Sequence, residues 1–208
     1  MSEMLKLDSE NWQRFYDTKY IKMEKLVPFD TAINNPHYRF TWSLDKVGDG
    51  DGRKLLDVGC NMGIMCGLAS KCGFTVSGVD VSIEAINDAK DNVPEGEFKQ
   101  AYADKDIPFE KESFDVVTAL EILEHVRDLD GFINECMRVL KPGGMFIATT
   151  PIGKAYYVKE HVRFFDFYSL HDVFKKKAEW FKISKVFKIS ENDSNGRLLF
   201  GIEVKKDD

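Results

Sequence analysis

Two carboxylates and an imidazole lie close together in the segment Glu121-Ile122-Leu123-Glu124-His125. Glu121 and Glu124 are at i, i+3, and Glu121 and His125 are at i, i+4, so a single helical turn would direct these side chains to one side. Two adjacent carboxylates raise at least one pKa unless a cation neutralises them, so a divalent metal ion is a natural partner. His161, in a later loop, offers a fourth ligand. These ligand types suit Mn²⁺, Fe²⁺, Zn²⁺ or Mg²⁺ and do not choose among them.

The same residues also allow a site without metal. His125 would then act as a general base or a substrate contact, because an imidazole exchanges protons near neutral pH. Glu124 is the second candidate catalytic residue: essential as a metal ligand, and nearly dispensable if His125 works alone. The sequence leaves both hypotheses open, and Glu124→Ala or prolonged treatment with EDTA separates them.

The elements that must position this site begin with Asp57-Val58-Gly59-Cys60-Asn61-Met62-Gly63, a glycine-containing turn at the end of an apolar run. Leu55, Leu56 and Val58 suit a strand buried on both faces of a parallel sheet. The glycines allow a tight turn that a ligand can approach closely. A helix predicted over 64–72 presents its unpaired N–H groups to that ligand. In the dinucleotide fingerprint the middle residue is glycine, but here it is Asn61, so that fingerprint fits imperfectly.

A second strand, predicted over 74–80, also ends in a carboxylate. Asp80 lies where an acid accepts hydrogen bonds from a ribose diol. Together with the glycine turn, this acid indicates a nucleotide-like ligand at the carboxyl ends of the strands.

Strands and helices alternate through the rest of the chain, which predicts a doubly wound parallel sheet with its ligand crevice at the strand carboxyl ends. Further strands are predicted over 98–101, 114–120, 145–149, 180–190 and 197–204, with a turn at Asn195-Gly196. Helices are predicted from Ser82 to before Pro94, over 132–140 and over 168–174. Residues 1–45 are predicted to be helical and outside the sheet, either packed on its edge or forming a lid.

Composition predicts a single globular domain. The chain has 208 residues, 43% hydrophobic and 31% charged, with a net charge of −6 that argues against a nucleic-acid partner. No apolar stretch approaches the ~18 residues of a membrane span, and the N-terminus lacks the apolar core of a signal peptide. The four cysteines have no metal-finger spacing and are expected to be reduced, so a cytoplasmic location is predicted.

Four motifs resemble those of the class I S-adenosylmethionine-dependent methyltransferases in order and spacing. They are Leu-Leu-Asp-Val-Gly-Cys-Asn-Met-Gly, Gly-Val-Asp-Val-Ser, Phe-Asp-Val-Val-Thr-Ala-Leu-Glu-Ile-Leu-Glu-His-Val and Arg-Val-Leu-Lys-Pro-Gly-Gly. The resemblance implies an α/β, seven-stranded, mostly parallel Rossmann-like sheet whose last hairpin is antiparallel. It divides the single domain 1–208 into a helical lid (1–45), a cofactor-binding core (53–151) and an acceptor-side loop with closing strands (152–208).

The resemblance also implies cofactor contacts. The methionine end would lie against Asp57, Gly59, Cys60, Asn61 and Gly63. Asp80 would hold the ribose diol, Val81 would lie against the adenine, Asp104 would contact the adenine amine, and Leu120 would complete the site.

Glu-x-x-Glu-His with a later His resembles two groups that hold a divalent ion beside the cofactor: quinone-pathway catechol O-methyltransferases and small-RNA 2′-O-methyltransferases. The short, acidic chain disfavours the second. Asn35-Pro36 followed by Arg39 is similar to the first, where an arginine reaches the cofactor carboxylate. The prediction is therefore O-methylation of a small hydroxylated molecule by a monomer or homodimer. The alternatives are an NAD-dependent oxidoreductase and a non-catalytic partner protein.

Aromatic residues supply the predicted acceptor walls, and two histidines are predicted to be surface or structural residues. The aromatic group consists of Tyr156, Tyr157, Phe164, Phe165 and Phe167. The two histidines are His37 and His171.

Overall fold

A seven-stranded sheet organises the chain. The computed structural model describes residues 14–18, 27–153, 160–186 and 199–207. The strands are β1 (Lys54–Val58), β2 (Thr75–Asp80), β3 (Glu97–Gln100), β4 (Phe114–Leu120), β5 (Leu140–Pro151), β6 (Trp180–Val186) and β7 (Leu199–Lys205). Their order is β3-β2-β1-β4-β5-β7-β6, and only the β5–β7 and β6–β7 pairs are antiparallel. The predicted fold class and the antiparallel closing hairpin are confirmed.

Helices cover both faces of this sheet. They are α1 (Phe29–Asn34), α2 (Tyr38–Val47), α3 (Ile64–Lys71), α4 (Ile83–Asn92), α5 (Leu129–Val139) and α6 (Phe167–Phe174), and residues 14–18 are also helical. Leu56 and Phe146 pack with Phe132 of α5 on one face, while Leu55 packs with Met65 of α3 on the other. Alternate residues of β1 therefore enter opposite cores, as a strand buried on both faces requires.

Within the described part of the chain, no helix has both the length and the apolar character needed to cross a lipid bilayer.

Side-chain caps fix where several helices begin. The Ser82 hydroxyl accepts the Ala85 N–H at 3.2 Å at the start of α4, as the sequence predicts. Asp128 caps α5 by accepting the Gly131 N–H at 2.9 Å. Both caps lie on the chain segments that leave the carboxyl ends of β2 and β4, so these helices begin near that edge of the sheet.

The largest difference from the prediction lies at Pro142-Gly143-Gly144. The sequence predicts a break before a strand over 145–149, but β5 already begins at Leu140. The pairing with β4 shifts register between Phe114 and Val116, and Gly143 takes a φ of 70°. Gly143 N–H also donates to the Lys206 carbonyl at 3.0 Å. The glycines thus form a bulge inside a continuous strand.

In the N-terminal part, 14–18, α1 and α2 are helical as predicted, and the rest of 1–45 up to residue 26 lies outside the described residues. The predicted Asn195-Gly196 turn and the ends of its two strands also lie outside them.

Candidate active site

The turn after β1 is held to the neighbouring strand by its own backbone. Gly59 N–H and Cys60 N–H both donate to the Val79 carbonyl, at 2.8 Å and 3.0 Å. Gly59 and Gly63 have φ values of 79° and 85°, in the left-handed region that favours glycine. Gly63 is the N-cap of α3 and has no side chain to satisfy the first N–H groups of that helix. The turn therefore presents backbone donors at the sheet edge.

Asn61 shows why the dinucleotide fingerprint fits imperfectly. It has a left-handed φ of 48°, which asparagine tolerates, and its side-chain oxygen accepts the Met62 N–H at 2.7 Å. Asn61 is exposed, whereas Cys60 beside it is buried.

Asp80 is joined to both the turn and α4. Its two carboxylate oxygens accept the Asn61 N–H at 3.0 Å and the Ser82 N–H at 2.9 Å. Burial raises the pKa of Asp80, and these N–H groups oppose the rise. Each oxygen keeps a lone pair for a further donor, so the carboxylate can still accept two hydroxyl groups.

Asp57 is a buried acid at the edge of the sheet where the parallel strands end. It is 4% exposed and accepts the Thr118 hydroxyl at 2.7 Å. Burial raises the pKa of Asp57 to about 7, with the Thr118 hydrogen bond and the Arg39 charge opposing the rise. Arg39 has the same opposing effect on the pKa of Glu124. The Arg39 charge therefore acts on both carboxylates, and its contact with the cofactor carboxylate remains a prediction.

The segment after β4 does not form the predicted helical turn. Glu121 has a left-handed φ of 61°, and its N–H donates to the Thr149 carbonyl at 3.0 Å. The Thr149 hydroxyl also donates to the Glu121 carboxylate at 3.3 Å. Glu121 thus contacts β5 and is not among the three described residues whose ligand atoms lie within 4.8 Å of one another. Its role as a fourth ligand remains a prediction.

Glu124, His125 and His161 form a compact group. One ligand atom from each of the three residues lies within 4.8 Å of the others. The Glu124 carboxylate is 3.9 Å from His125 Nε2 and accepts the Thr150 hydroxyl at 3.0 Å. Glu124 also anchors the loop that carries His161, because its carbonyl accepts the Val162 N–H at 2.9 Å. The two imidazole centroids are 4.9 Å apart.

The buried carboxylate of this group favours its neutral form when nothing else is bound. Glu124 is 2% exposed, and burial followed by the Glu121 charge raises its pKa to about 8. A cation bound by the group would reverse that preference.

The donor set fits a divalent metal ion. Two imidazoles and one carboxylate are common ligands for Zn²⁺ and Fe²⁺, and three protein ligands leave positions open for other groups. Ligand atoms bound at about 2.1 Å can be no more than about 4.2 Å apart, so small side-chain movements would close the observed spacing.

His125 has a defined orientation. Its Nδ1 lies 3.2 Å from the Glu160 carbonyl. A carbonyl only accepts, so a neutral His125 carries its proton on Nδ1 and leaves Nε2 unprotonated. That nitrogen can accept a proton or bind a metal ion.

The remaining predicted site residues have distinct positions. Val81 lies beside Asp80, and its carbonyl accepts the Gln100 side-chain amide at 2.9 Å; Leu120 is half-buried at the end of β4. Asp104 lies in a turn after β3, and its backbone carbonyl is close to Gly131 of α5. Their contacts with a cofactor remain predictions.

The aromatic residues divide into core and surface. Phe165 is 4% exposed and belongs to the hydrophobic core, whereas Phe167 is 46% exposed. Phe164 contacts His161, with ring centroids 6.1 Å apart, and its role as an acceptor wall remains a prediction. Tyr156 and Tyr157 lie outside the described residues.

The two histidines expected to be surface or structural residues have local contacts. His37 accepts the Arg39 N–H at the start of α2, and His171 packs against Phe181 with ring centroids 5.3 Å apart.

Tyr16 also contacts this site, although the sequence predicts only that it lies in the helical region 1–45. Its ring meets the His125 ring edge-on, with centroids 6.2 Å apart and an interplanar angle of 89°. Burial raises the pKa of Tyr16. Nearby carboxylates add to that rise, namely Asp80, Glu160 and Glu124.

A cleft of about 800 Å³ lies at the opposite edge of the sheet. Lys54, Thr75 and Phe114, at the amino ends of their strands, contribute to its lining. Its Lys99 and Arg138 are engaged with neighbouring acids, Glu97 and Glu135. Parallel-sheet proteins bind ligands at the carboxyl ends, so the chemistry belongs to the other edge.

Comparison with known proteins agrees with this geometry. Residues 56–148 match the family described as "Methyltransferase domain". A ubiquinone biosynthesis O-methyltransferase of Bradyrhizobium is 38% identical over 101 residues, covering 48% of this chain and 40% of that protein. The corresponding Pseudomonas fluorescens protein is 38% identical over 116 residues, covering 54% and 50%. The match thus reaches at most about half the length of these relatives.

Solved structures show the same fold. A Methanosarcina mazei S-adenosylmethionine-dependent methyltransferase has a TM-score of 0.61 at 22% identity, covering 79% of this chain and 97% of that one. Haemonchus contortus phosphoethanolamine N-methyltransferase 2, in complex with S-adenosyl-L-methionine, has a TM-score of 0.67 at 17% identity, covering 82% and 52%.

Proposed function

We propose that this chain, which carries a methyltransferase domain with the class I S-adenosylmethionine-dependent fold, transfers a methyl group from S-adenosylmethionine to a hydroxyl group of a small molecule. The observation that supports it most is the juxtaposition of a cofactor-type turn and acid, Asp57–Gly63 and Asp80, with the Glu124–His125–His161 group at one sheet edge.

The cofactor would lie across the ends of β1, β2 and β4. Asp80 would accept the ribose hydroxyls, and the Gly59–Gly63 turn would face the methionine portion. Arg39, whose charge opposes the raised pKa values of Asp57 and Glu124, would pair with the cofactor carboxylate. Val81, Asp104 and Leu120 are proposed to surround the adenine side.

Methyl transfer is an in-line displacement. The acceptor oxygen supplies a lone pair to form the O–CH₃ bond, while the CH₃–S bond breaks and its electron pair returns to sulfur, giving S-adenosylhomocysteine. The acceptor proton must leave, and His125 Nε2 is the group we propose to accept it. The site mainly has to align the three reacting atoms and exclude water.

A metal-assisted version of this reaction is also proposed. Glu124, His125 and His161 would hold a divalent ion, which would lower the pKa of a bound hydroxyl. The curated relatives are named ubiquinone biosynthesis O-methyltransferases, which supports O-methylation of a small molecule. We propose a catechol-like acceptor, because two adjacent oxygens could bind one metal ion.

The NAD-dependent alternative finds no support. The matched family is a methyltransferase domain, and Asn61 stands where the dinucleotide fingerprint has glycine.

Methyl transfer to a catechol probe, 3,4-dihydroxybenzoate, tests the proposal by mass spectrometry. We expect methylated product and S-adenosylhomocysteine in equal amounts. Activity that survives prolonged EDTA treatment would remove the metal-assisted version and leave His125 as the base. Absence of S-adenosylhomocysteine binding by calorimetry would overturn the proposed function in both versions.

A further inference from the structure

Asp17 connects residues 14–18 to the start of α4 through two hydrogen bonds, which we call the Asp17 latch. The Asp17 carboxylate accepts the Ser82 hydroxyl at 2.6 Å and the Ile83 N–H at 3.0 Å. Ser82 is 2% exposed, and its oxygen already accepts the Ala85 N–H, so its hydrogen is directed to Asp17. Asp17 thereby satisfies a second donor of the first helical turn, next to the positive end of the helix.

The latch shares Ser82 with the proposed ribose-binding acid. Ser82 N–H donates to Asp80 at 2.9 Å while its hydroxyl donates to Asp17. The N-terminal segment is therefore fixed directly beside the nucleoside side of the proposed cofactor site.

The next side chain, Tyr16, reaches the other side of the crevice. Asp17 contacts the residues after β2, whereas the Tyr16 ring meets His125, which follows β4. Strand β1 lies between β2 and β4 in the sheet, so segment 14–18 links residues that follow the two strands on either side of β1. Phe15 packs edge-on against Tyr16, with centroids 5.3 Å apart, and supports the ring from the same segment.

We propose that Tyr16 is a positioning residue for the His125 imidazole and a wall of the acceptor site, held in place by the Asp17 latch. This inference rests on the proposed methyl transfer for its consequence, but the contact itself can be tested without any ligand. The Tyr16 ring restricts rotation of the imidazole from one side, while the Glu160 carbonyl fixes Nδ1 from the other.

The ligand-free test uses the ring signals of His125 in a ¹H–¹³C NMR spectrum, assigned with His125→Gln. A neighbouring aromatic ring shifts these signals by its ring current. We expect Tyr16→Leu to move them and Tyr16→Phe to leave them nearly unchanged, because phenylalanine keeps the ring. Signals that stay in place in Tyr16→Leu, or that move equally in both variants, would overturn the proposal.

The kinetic test compares the same variants on 3,4-dihydroxybenzoate. Tyr16→Leu should lower kcat/KM about tenfold, with S-adenosylhomocysteine affinity within about twofold of the wild type, because an edge-on aromatic contact contributes on that scale. Tyr16→Phe keeps the ring and should keep kcat and kcat/KM near the wild-type values. A loss of cofactor affinity without a loss of kcat would contradict a role in positioning His125.

The Asp17 latch is tested with its own set of variants and a control. Asp17→Ala should shift the His125 signals in the same direction as Tyr16→Leu and should also lower kcat. Asp17→Asn should restore both, because an amide oxygen can accept the same two hydrogen bonds. The control is Asp91→Ala, which removes an exposed acid of α4 and is expected to match the wild type. If Tyr16→Leu fails to fold, Asp17→Ala decides: unchanged His125 signals there would overturn the proposal.

If the wild type does not bind S-adenosylhomocysteine, the proposed function fails, and the NMR comparison still decides whether Tyr16 positions His125.

Discussion

Asp57, Asp80 and Glu124 all lie at or just beyond the carboxyl ends of parallel strands, yet each carboxylate has different partners. Asp80 accepts two backbone N–H groups, Asp57 accepts one threonine hydroxyl, and Glu124 accepts another. A partly exposed acid with spare lone pairs suits binding of hydroxyls. Burial raises the pKa of all three acids, but Asp57 and Glu124 have fewer hydrogen-bond donors, so a nearby positive charge would favour their ionised form most.

Asp57 should make the stability of the ligand-free protein depend on pH. An unfolded aspartate ionises near pH 4, whereas the folded Asp57 has a pKa of about 7. Between these values the unfolded state releases a proton that the folded state retains, so rising pH lowers the free energy of unfolding until pH 7 is passed. We expect Asp57→Asn to gain about 2 kcal/mol relative to the wild type between about pH 5 and pH 8.

Urea denaturation at several pH values checks this prediction. Asp91→Asn, at an exposed position, is the control expected to follow the wild-type curve. Parallel curves for Asp57→Asn and the wild type would mean that Asp57 titrates normally in the folded protein.

The two glutamates after β4 should differ in Mn²⁺ binding. Glu124→Gln or His161→Gln should weaken it by about tenfold to hundredfold, because each removes a ligand or its charge. Glu121→Gln should stay within about threefold, since Glu121 is not among the three residues whose ligand atoms lie within 4.8 Å of one another and would contribute only its charge. Calorimetry with Mn²⁺ measures the difference. An equal loss of Mn²⁺ affinity for the two glutamate variants would indicate that Glu121 is also a metal ligand.

At the scale of elements, the sequence predicts the strands well and the segment after β4 poorly. Buried apolar runs give β4 its observed bounds, and β1 and β2 are within one residue of the prediction, because a strand covered on both faces must be apolar throughout. The i, i+3 and i, i+4 spacing suggests a helical turn, but pairing of Glu121 N–H with Thr149 imposes a left-handed φ instead. That bond joins residues far apart in sequence, so local spacing does not reveal it.

The turn after β1 and the segment after β4 should be coupled through Gly59 and Ile122. A Cβ on Gly59 would lie 2.6 Å from Ile122 Cδ1, and Gly59 has a φ of 79°. Gly59→Ala should therefore cost about 2–4 kcal/mol, part from the strained φ and part from the contact. Ile122→Ala should recover the contact part, giving a coupling of about 1 kcal/mol in a double-mutant cycle. Strict additivity in urea denaturation would exclude the coupling.

At the scale of the whole molecule, the site spans parts of the chain with very different sequence signals. The cofactor-binding core carries recognisable motifs, because a turn, a ribose acid and buried strands each demand particular residue types. Tyr16 and Asp17 come from a segment whose only signal is helical aromatic spacing, and their partners Ser82 and His125 are distant in sequence. Such contacts depend on how the N-terminal segment packs, which periodicity does not determine.

S-adenosylhomocysteine should stabilise the whole fold. At about 100 times its Kd it should raise the free energy of unfolding by about 2.7 kcal/mol, measured as an increase in Tm, because it binds only the folded state. NAD at the same concentration should give no increase. Asp80→Ala should lose about half of the effect or more through a Kd raised at least about tenfold, whereas Asp91→Ala should retain it. Equal stabilisation of the wild type and Asp80→Ala would remove Asp80 from the cofactor site.

The hydrogen bonds from Gly59 and Cys60 to Val79, and from Asn61 to Asp80, fasten the two ends of the proposed cofactor site into one rigid frame. This frame fixes the distance between the turn after β1 and Asp80. Neither can move away from the other without breaking these hydrogen bonds. An analogue lengthened by a single methylene between sulfur and the amino-acid group should then be rejected, although every functional group it carries is correct.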